Sequence, residues 1–214
     1  MIGIYNYTVL LTYLSAVSAG IGMYFSIHGE IKTAIFFLMF SGLCDMLDGP
    51  VARTLKSRTE TAKKFGIQID SLCDCVSFGV QPAVLLYGIA VNCEGTSKKL
   101  ELFALVAGIL LVLCAIIRLA FFNVSEEERQ SVEGAKLRSG YRGMPVTNVT
   151  LLFPLVYLTN IFAKDALFSI IMTCAGLVTA ALFVIDFPFP KLHGKKLILV
   201  GVLGLAMFIG VCLV

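Results

Sequence analysis

The chain has 214 residues, 58% of them apolar and only 14% charged, with a mean hydropathy of +0.90. A soluble domain of this size has too little interior to hide so much apolar surface, so the composition excludes a water-soluble globule and selects an integral membrane protein made of helices. The net charge of +3 is mild and gives no reason to expect a nucleic-acid partner.

Seven apolar segments follow in chain order, near residues 8–27, 31–55, 66–92, 99–123, 146–163, 165–186 and 196–214. Each is about long enough to cross a ~30 Å hydrocarbon core at about 1.5 Å per residue. The first has no basic stretch before it and no small-residue cleavage site after it, so it reads as a retained span and not as a signal peptide. The break around Ala163 to Asp165 is short, so the fifth and sixth segments are either a tight helical hairpin or a miscounted pair. The longest polar stretch, SEEERQSVEGAKLRSGYRG at 125–143, reads as a solvated connector, with a cover over the site as the alternative. The expected fold is therefore all-α, a bundle of about seven transmembrane helices forming a single domain over residues 1–214. The seven cysteines fall mostly inside apolar runs, where Cys acts as a small hydrophobe. Their odd number argues against a disulfide framework.

Lysine and arginine divide unevenly between the two sides. The connections after segments two, four and six hold twelve of them, including Arg53, Lys63, Lys64, Arg138 and Arg142. The opposite side holds four: Lys32, Lys98, Lys99 and Lys164. By the positive-inside rule the richer side is cytoplasmic.

That orientation brings four aspartates to one depth. Asp45 and Asp48 lie toward the cytoplasmic end of segment two, and Asp70 and Asp74 near the cytoplasmic start of segment three. Spacings of three and four put each pair on one helix face. An ionised residue inside a span costs about 2.5–3.5 kcal/mol at the bilayer centre and less near the interface. Four at matched spacings are therefore too costly to be incidental. Four converging carboxylates need a positive counter-charge, and a hard divalent cation such as Mg²⁺ takes oxygen ligands and bridges phosphates. Gly49, Ala52 and Gly66 leave room beside the backbone, although small residues also serve helix packing. Arg53, one turn after Gly49, either reaches a phosphate or anchors the span at the interface.

The string Asp45-x-x-Asp48-Gly49-x-x-Ala52-Arg53, followed by Gly66-x-x-x-Asp70-x-x-x-Asp74, resembles the signature of the CDP-alcohol phosphatidyltransferases. DSLCDCVSFGVQPAVLLY (70–87), IRLAFFNV (117–124) and YRGMPVT (141–147) resemble the branch of that family that uses serine. The likeness covers roughly residues 41–147, and the last third matches only as apolar helices. Two departures stand out. Twelve residues, Thr54 to Phe65, separate Arg53 from Gly66, four more than the family usually has, and Phe121 stands where the serine branch commonly has an arginine.

The resemblance implies a helical membrane homodimer whose site opens to the cytoplasm, with a bacterial cell membrane as the expected location. It implies transfer of the phosphatidyl group from CDP-diacylglycerol to the hydroxyl of L-serine, with release of CMP. It implies two divalent ions, Mg²⁺ or Mn²⁺, held by Asp45, Asp48, Asp70 and Asp74, with Asp74 also the base. Asp48, Gly49, Ala52, Arg53 and Gly66 would hold the CDP moiety. The serine carboxylate needs a cation or good donors, for which Arg118, Asn123 and Arg142 are candidates. The rival readings are another acceptor, such as glycerol 3-phosphate or inositol phosphate, and a carboxylate-lined cation transporter.

Overall fold

A computed structural model describes residues 7–55, 59–133, 140–190 and 195–213. Helix α1 is Leu10–Ile27, α2 Ile31–Thr54 and α3 Glu60–Asp74. A π-helical segment, Cys75–Val80, joins α3 to α4, Gln81–Asn92. The longest helix is α5, Lys98–Glu133. A short 3₁₀ turn, Val146–Asn148, leads into α6, Val149–Tyr157. Then come α7, Asp165–Val184, and α8, Lys195–Leu213.

Every one of the seven expected apolar segments is helical. Five stretches are long and apolar enough to cross a membrane: Leu10–Ile27, Ile31–Ala52, Glu60–Asn92, Lys98–Glu128 and Asp165–Val184. Two more, Val146–Ile161 and Gly201–Leu213, are shorter apolar helices. The fold departs from all-α at one place. Strand β1, Gly140–Arg142, pairs antiparallel with β2, Pro188–Pro190. The polar connector expected over 125–143 is in fact helical up to Glu133, because α5 runs on past its apolar part.

The third span is one continuous rod with a wide turn in its middle. Six residues wind as π-helix immediately after Asp74, and Ser77, Phe78 and Gly79 within it are buried. A π turn carries an extra residue per turn, so it changes the phase between the helix above and the helix below. Polar side chains fix that turn against its neighbours. Ser77 Oγ lies 3.0 Å from Ser15 Oγ of α1, and Ser41 Oγ of α2 donates to the Ser15 carbonyl at 3.1 Å. These bonds tie three helices together within one or two turns of the aspartates.

Below that layer the core is apolar and close-packed. Ile35, Leu38, Phe78, Leu111, Phe153, Met172 and Phe183 are all buried in it. Lipid is as apolar as these side chains, so close fit and not the hydrophobic effect holds the helices together. Gly88 shows how close the fit is. A Cβ there would stand 2.1 Å from the Ser26 carbonyl oxygen on α1. Backbone cannot yield as a side chain can, and overpacking of this kind costs about 1–3 kcal/mol. Gly88→Ala is expected to lower the thermal midpoint in detergent by several degrees. Gly20→Ala, where a Cβ meets nothing within 4 Å, is the comparison. Equal midpoints for the two variants would refute the close α1–α4 approach.

Candidate active site

The aspartates come from two helices that α1 flanks. Asp45 on α2 and Asp70 and Asp74 on α3 each turn a carboxylate oxygen inward, and the three oxygens lie within 4.8 Å of one another. Asp48, one turn beyond Asp45, accepts a hydrogen bond from Thr12 Oγ1 of α1 at 3.1 Å. Asp45 lies next to Asp74, and Asp48 next to Asp70. Among the described residues no lysine or arginine is ion-paired with any of the four. Two like charges 4 Å apart repel by about 4 kcal/mol even at an effective dielectric constant of about 20. A compact set of oxygen donors fits a hard divalent ion.

The longer spacing between Arg53 and Gly66 leaves this convergence intact. Helix α2 ends at Thr54 and α3 begins at Glu60, so the lengthened stretch from Thr54 to Phe65 takes in both the break between the helices and the start of α3. Thr59 caps that turn by accepting a hydrogen bond from the Ala62 amide at 3.2 Å, which satisfies one of the orphan donors at a helix start.

Asp45, Asp70 and Asp74 line a cavity of about 860 Å³. Its other walls come from the rest of α2, from α5, from the 3₁₀ turn and the start of α6, and from α8. Much of the lining is apolar, with Phe36, Met39, Phe40, Leu205 and Phe208. Its other polar residues include Arg118, Thr147, Asn148 and Thr150. Sequence reading singled out only Arg118 of these four. The quoted motif YRGMPVT stops at Thr147, one residue short of Asn148, and α8 offered nothing beyond apolar periodicity.

Arg118 is 6% exposed. Its Nε donates to the Met144 carbonyl at 3.0 Å and its Nη2 to the Gly143 carbonyl at 3.1 Å. Gly143 has φ +75°, and a Cβ there would stand 3.0 Å from the Ile185 carbonyl oxygen. Only glycine takes that conformation at no cost. The Gly143 amide donates to the Phe187 carbonyl at 2.7 Å, and β1–β2 pairing continues the attachment. The segment before α6 is thus pinned to α5 on one side and to the end of α7 on the other.

The remaining expected site residues sit elsewhere. Asn123 Nδ2 donates to Ser71 Oγ at 2.8 Å, linking α5 to α3, and Asn123 is not part of the cavity lining. Arg142 is exposed and paired with Asp186, its Nε donating to Oδ1 at 3.1 Å. That hydrogen bond holds the Asp186 carboxyl below its ordinary value. Arg142 likewise lies outside the lining. Gly49 and Ala52 occupy the last turns of α2, and the side chain of Arg53 lies outside the described residues. Gly66, one turn before Asp70, faces open space, with nothing within 4 Å of a Cβ.

Apolar spans that carry a carboxylate cluster in the wall of a largely apolar cavity define an integral membrane protein with a polar site among its helices. The profile of the CDP-alcohol phosphatidyltransferase family matches residues 5–186, and the chain belongs to that family. It is 31% identical over 185 residues to the archaetidylserine synthase of Methanothermobacter thermautotrophicus, covering 86% of this chain and 70% of that protein. It is 31% identical over 173 residues to the CDP-diacylglycerol–serine O-phosphatidyltransferase of Methanocaldococcus jannaschii, with 80% of this chain and 71% of that one aligned. For the Bacillus subtilis protein of the same name the identity is 28%, over 79% of this chain and 82% of the relative. Helix α8 lies beyond the family match, although it lines the cavity.

Proposed function

We propose that the protein transfers the phosphatidyl group of CDP-diacylglycerol to the hydroxyl of L-serine and releases CMP. The observation that carries this reading is one cavity joining the aspartates, a buried arginine and an apolar wing. The names of the relatives add the acceptor. In the reaction the serine oxygen bonds to the lipid-side phosphorus, and the bond from that phosphorus to the bridging oxygen breaks. CMP departs with that oxygen, and the hydroxyl proton passes to the Asp74 carboxylate. Alignment of the two reactants supplies much of the acceleration.

Asp45, Asp48, Asp70 and Asp74 would hold Mg²⁺ or Mn²⁺, two ions in our reading, and the metal would supply positive charge against the pyrophosphate and the departing CMP. Gly49, Ala52 and Gly66 leave the backbone bare where a flat nucleoside lies against it, and Arg53 follows one turn later beside its phosphates. Arg118 takes the serine carboxylate. Asn123 fixes α5 against Ser71, and Arg142 secures the strand pair through Asp186, so both support the acceptor end from outside the cavity. The lipid chains remain in the apolar wing. The positive-inside count sets the aspartates at the cytoplasmic face. The two shorter apolar helices complete a seven-span bundle, and the chain works as a homodimer in a bacterial cell membrane.

The test is CMP release by purified protein in detergent, with CDP-diacylglycerol and Mg²⁺ or Mn²⁺. L-Serine, glycerol 3-phosphate, inositol phosphate and no acceptor are run in parallel. Release is expected with serine alone, and a chelator is expected to stop it. Release driven by another acceptor would overturn the serine assignment, and release insensitive to chelation would overturn the metal ligation. Silence with every acceptor would reject the transferase reading.

A further inference from the structure

We infer that Asn148 is the residue that selects an amino-acid acceptor, by receiving the α-ammonium group while Arg118 holds the carboxylate. This rests on the serine reading above and deepens it. Asn148 is half-buried and lines the same cavity as Arg118 and the three carboxylates. Among the described residues its side-chain amide has no hydrogen-bond partner, while its backbone is firmly held. The Asn148 amide N–H donates to the Pro145 carbonyl at 3.2 Å, closing the 3₁₀ turn. Thr150 Oγ1 returns to the Thr147 carbonyl at 2.8 Å, one residue further back along the same turn. The turn packs against α5 and the π segment. Arg118 grips the two carbonyls just upstream, so the guanidinium and the amide sit on one rigid piece of structure.

A binder of serine has three groups to read. The hydroxyl must reach the aspartates, and the carboxylate needs a cation. The ammonium needs acceptors that do not compete for the metal. A carboxylate in that role would join the acidic cluster, whereas an amide oxygen accepts hydrogen bonds without adding charge. A polar group built to bond the substrate also penalises an analogue that leaves it unpaired.

Acceptor analogues test the inference. β-Hydroxypropionate lacks the ammonium group and ethanolamine lacks the carboxylate. Wild type is expected to favour serine over β-hydroxypropionate by roughly tenfold or more in kcat/KM. Asn148→Ala should raise the serine KM by about that factor with little change in kcat. It should leave β-hydroxypropionate unaffected, so the preference collapses. Ethanolamine should remain poor in both proteins, since it lacks the group that Arg118 holds. Asn148→Gln, which keeps an uncharged amide acceptor, should recover part of the serine KM, whereas Asn148→Asp should not. Equal losses with serine and β-hydroxypropionate would mark a merely structural role and overturn the inference. So would an unchanged preference in Asn148→Ala, with the serine reading left standing. A wild type that ignores serine overturns both, and the thermal shift produced by CDP-diacylglycerol reports separately whether each variant is folded and binds its donor.

Discussion

Asp74→Asn is expected to lower serine-dependent CMP release by about 10²–10⁴-fold, the range associated with removing a positioned general base. An amide has nearly the same shape as the carboxylate, so the packing of α3 against α2 survives. What it loses is the ability to take a proton and most of its power as a metal ligand. The two losses can be separated. Mn²⁺ affinity measured without substrate reports ligation alone, because no proton moves. Asp45→Asn should weaken Mn²⁺ binding, and its activity should recover in part at high Mn²⁺. Asp74→Asn should remain inactive at any concentration of the metal. If Asp74→Asn also recovers with excess Mn²⁺, or retains activity within about tenfold of wild type, another group takes the proton. Ser71 and Ser77 are poor replacements, since Ser71 is bonded to Asn123 and Ser77 to Ser15.

Much of this site is legible in the sequence because its signal is local. The pairs Asp45/Asp48 and Asp70/Asp74 share helix faces by spacing alone, and antiparallel neighbours on a short connection must present those faces to one another. The apolar segments are legible for the same reason, since a hydrocarbon core of fixed thickness dictates their length. The added residues after Arg53 could not be placed by spacing, because a helix and a loop absorb an insertion differently. In the structure the lengthened stretch crosses both the end of α2 at Thr54 and the start of α3 at Glu60.

What the sequence hides is non-local or subtle. A π turn at Cys75–Val80 differs from α-helix by one residue per turn, and its composition, CVSFGV, carries no mark of it. The role of α8 is equally silent. Gly204 and Phe208 face the cavity only because α6 leans against that helix, a fact of packing with no periodic signature of its own. Arg142 and Arg118 illustrate the same limit. Both are single arginines close to the ends of apolar runs. Only the fold separates the one held at the surface by Asp186 from the one buried against two carbonyls.

That contrast makes Arg118→Lys the second large effect. Lysine keeps the charge, so if Arg118 served only as a cation the serine KM would barely move. Two of its donors, however, hold the Gly143 and Met144 carbonyls together, and a planar fork can do this while still offering an edge to a carboxylate. A single ammonium cannot span both. Bonds to charged groups are worth about 1.5–3 kcal/mol, so Arg118→Lys is expected to raise the serine KM by roughly 10–100-fold at about 1.4 kcal/mol per factor of ten. Its thermal midpoint should fall as well, because two nearly dry carbonyls lose a partner. The KM for CDP-diacylglycerol should stay near the wild-type value, since the proposed role of Arg118 concerns the acceptor alone. A fall in midpoint with no change in serine KM would reduce Arg118 to a clamp on the segment before α6. A parallel rise in both substrate constants would mean that the whole polar end had shifted, and the assignment of the carboxylate to this guanidinium would fail.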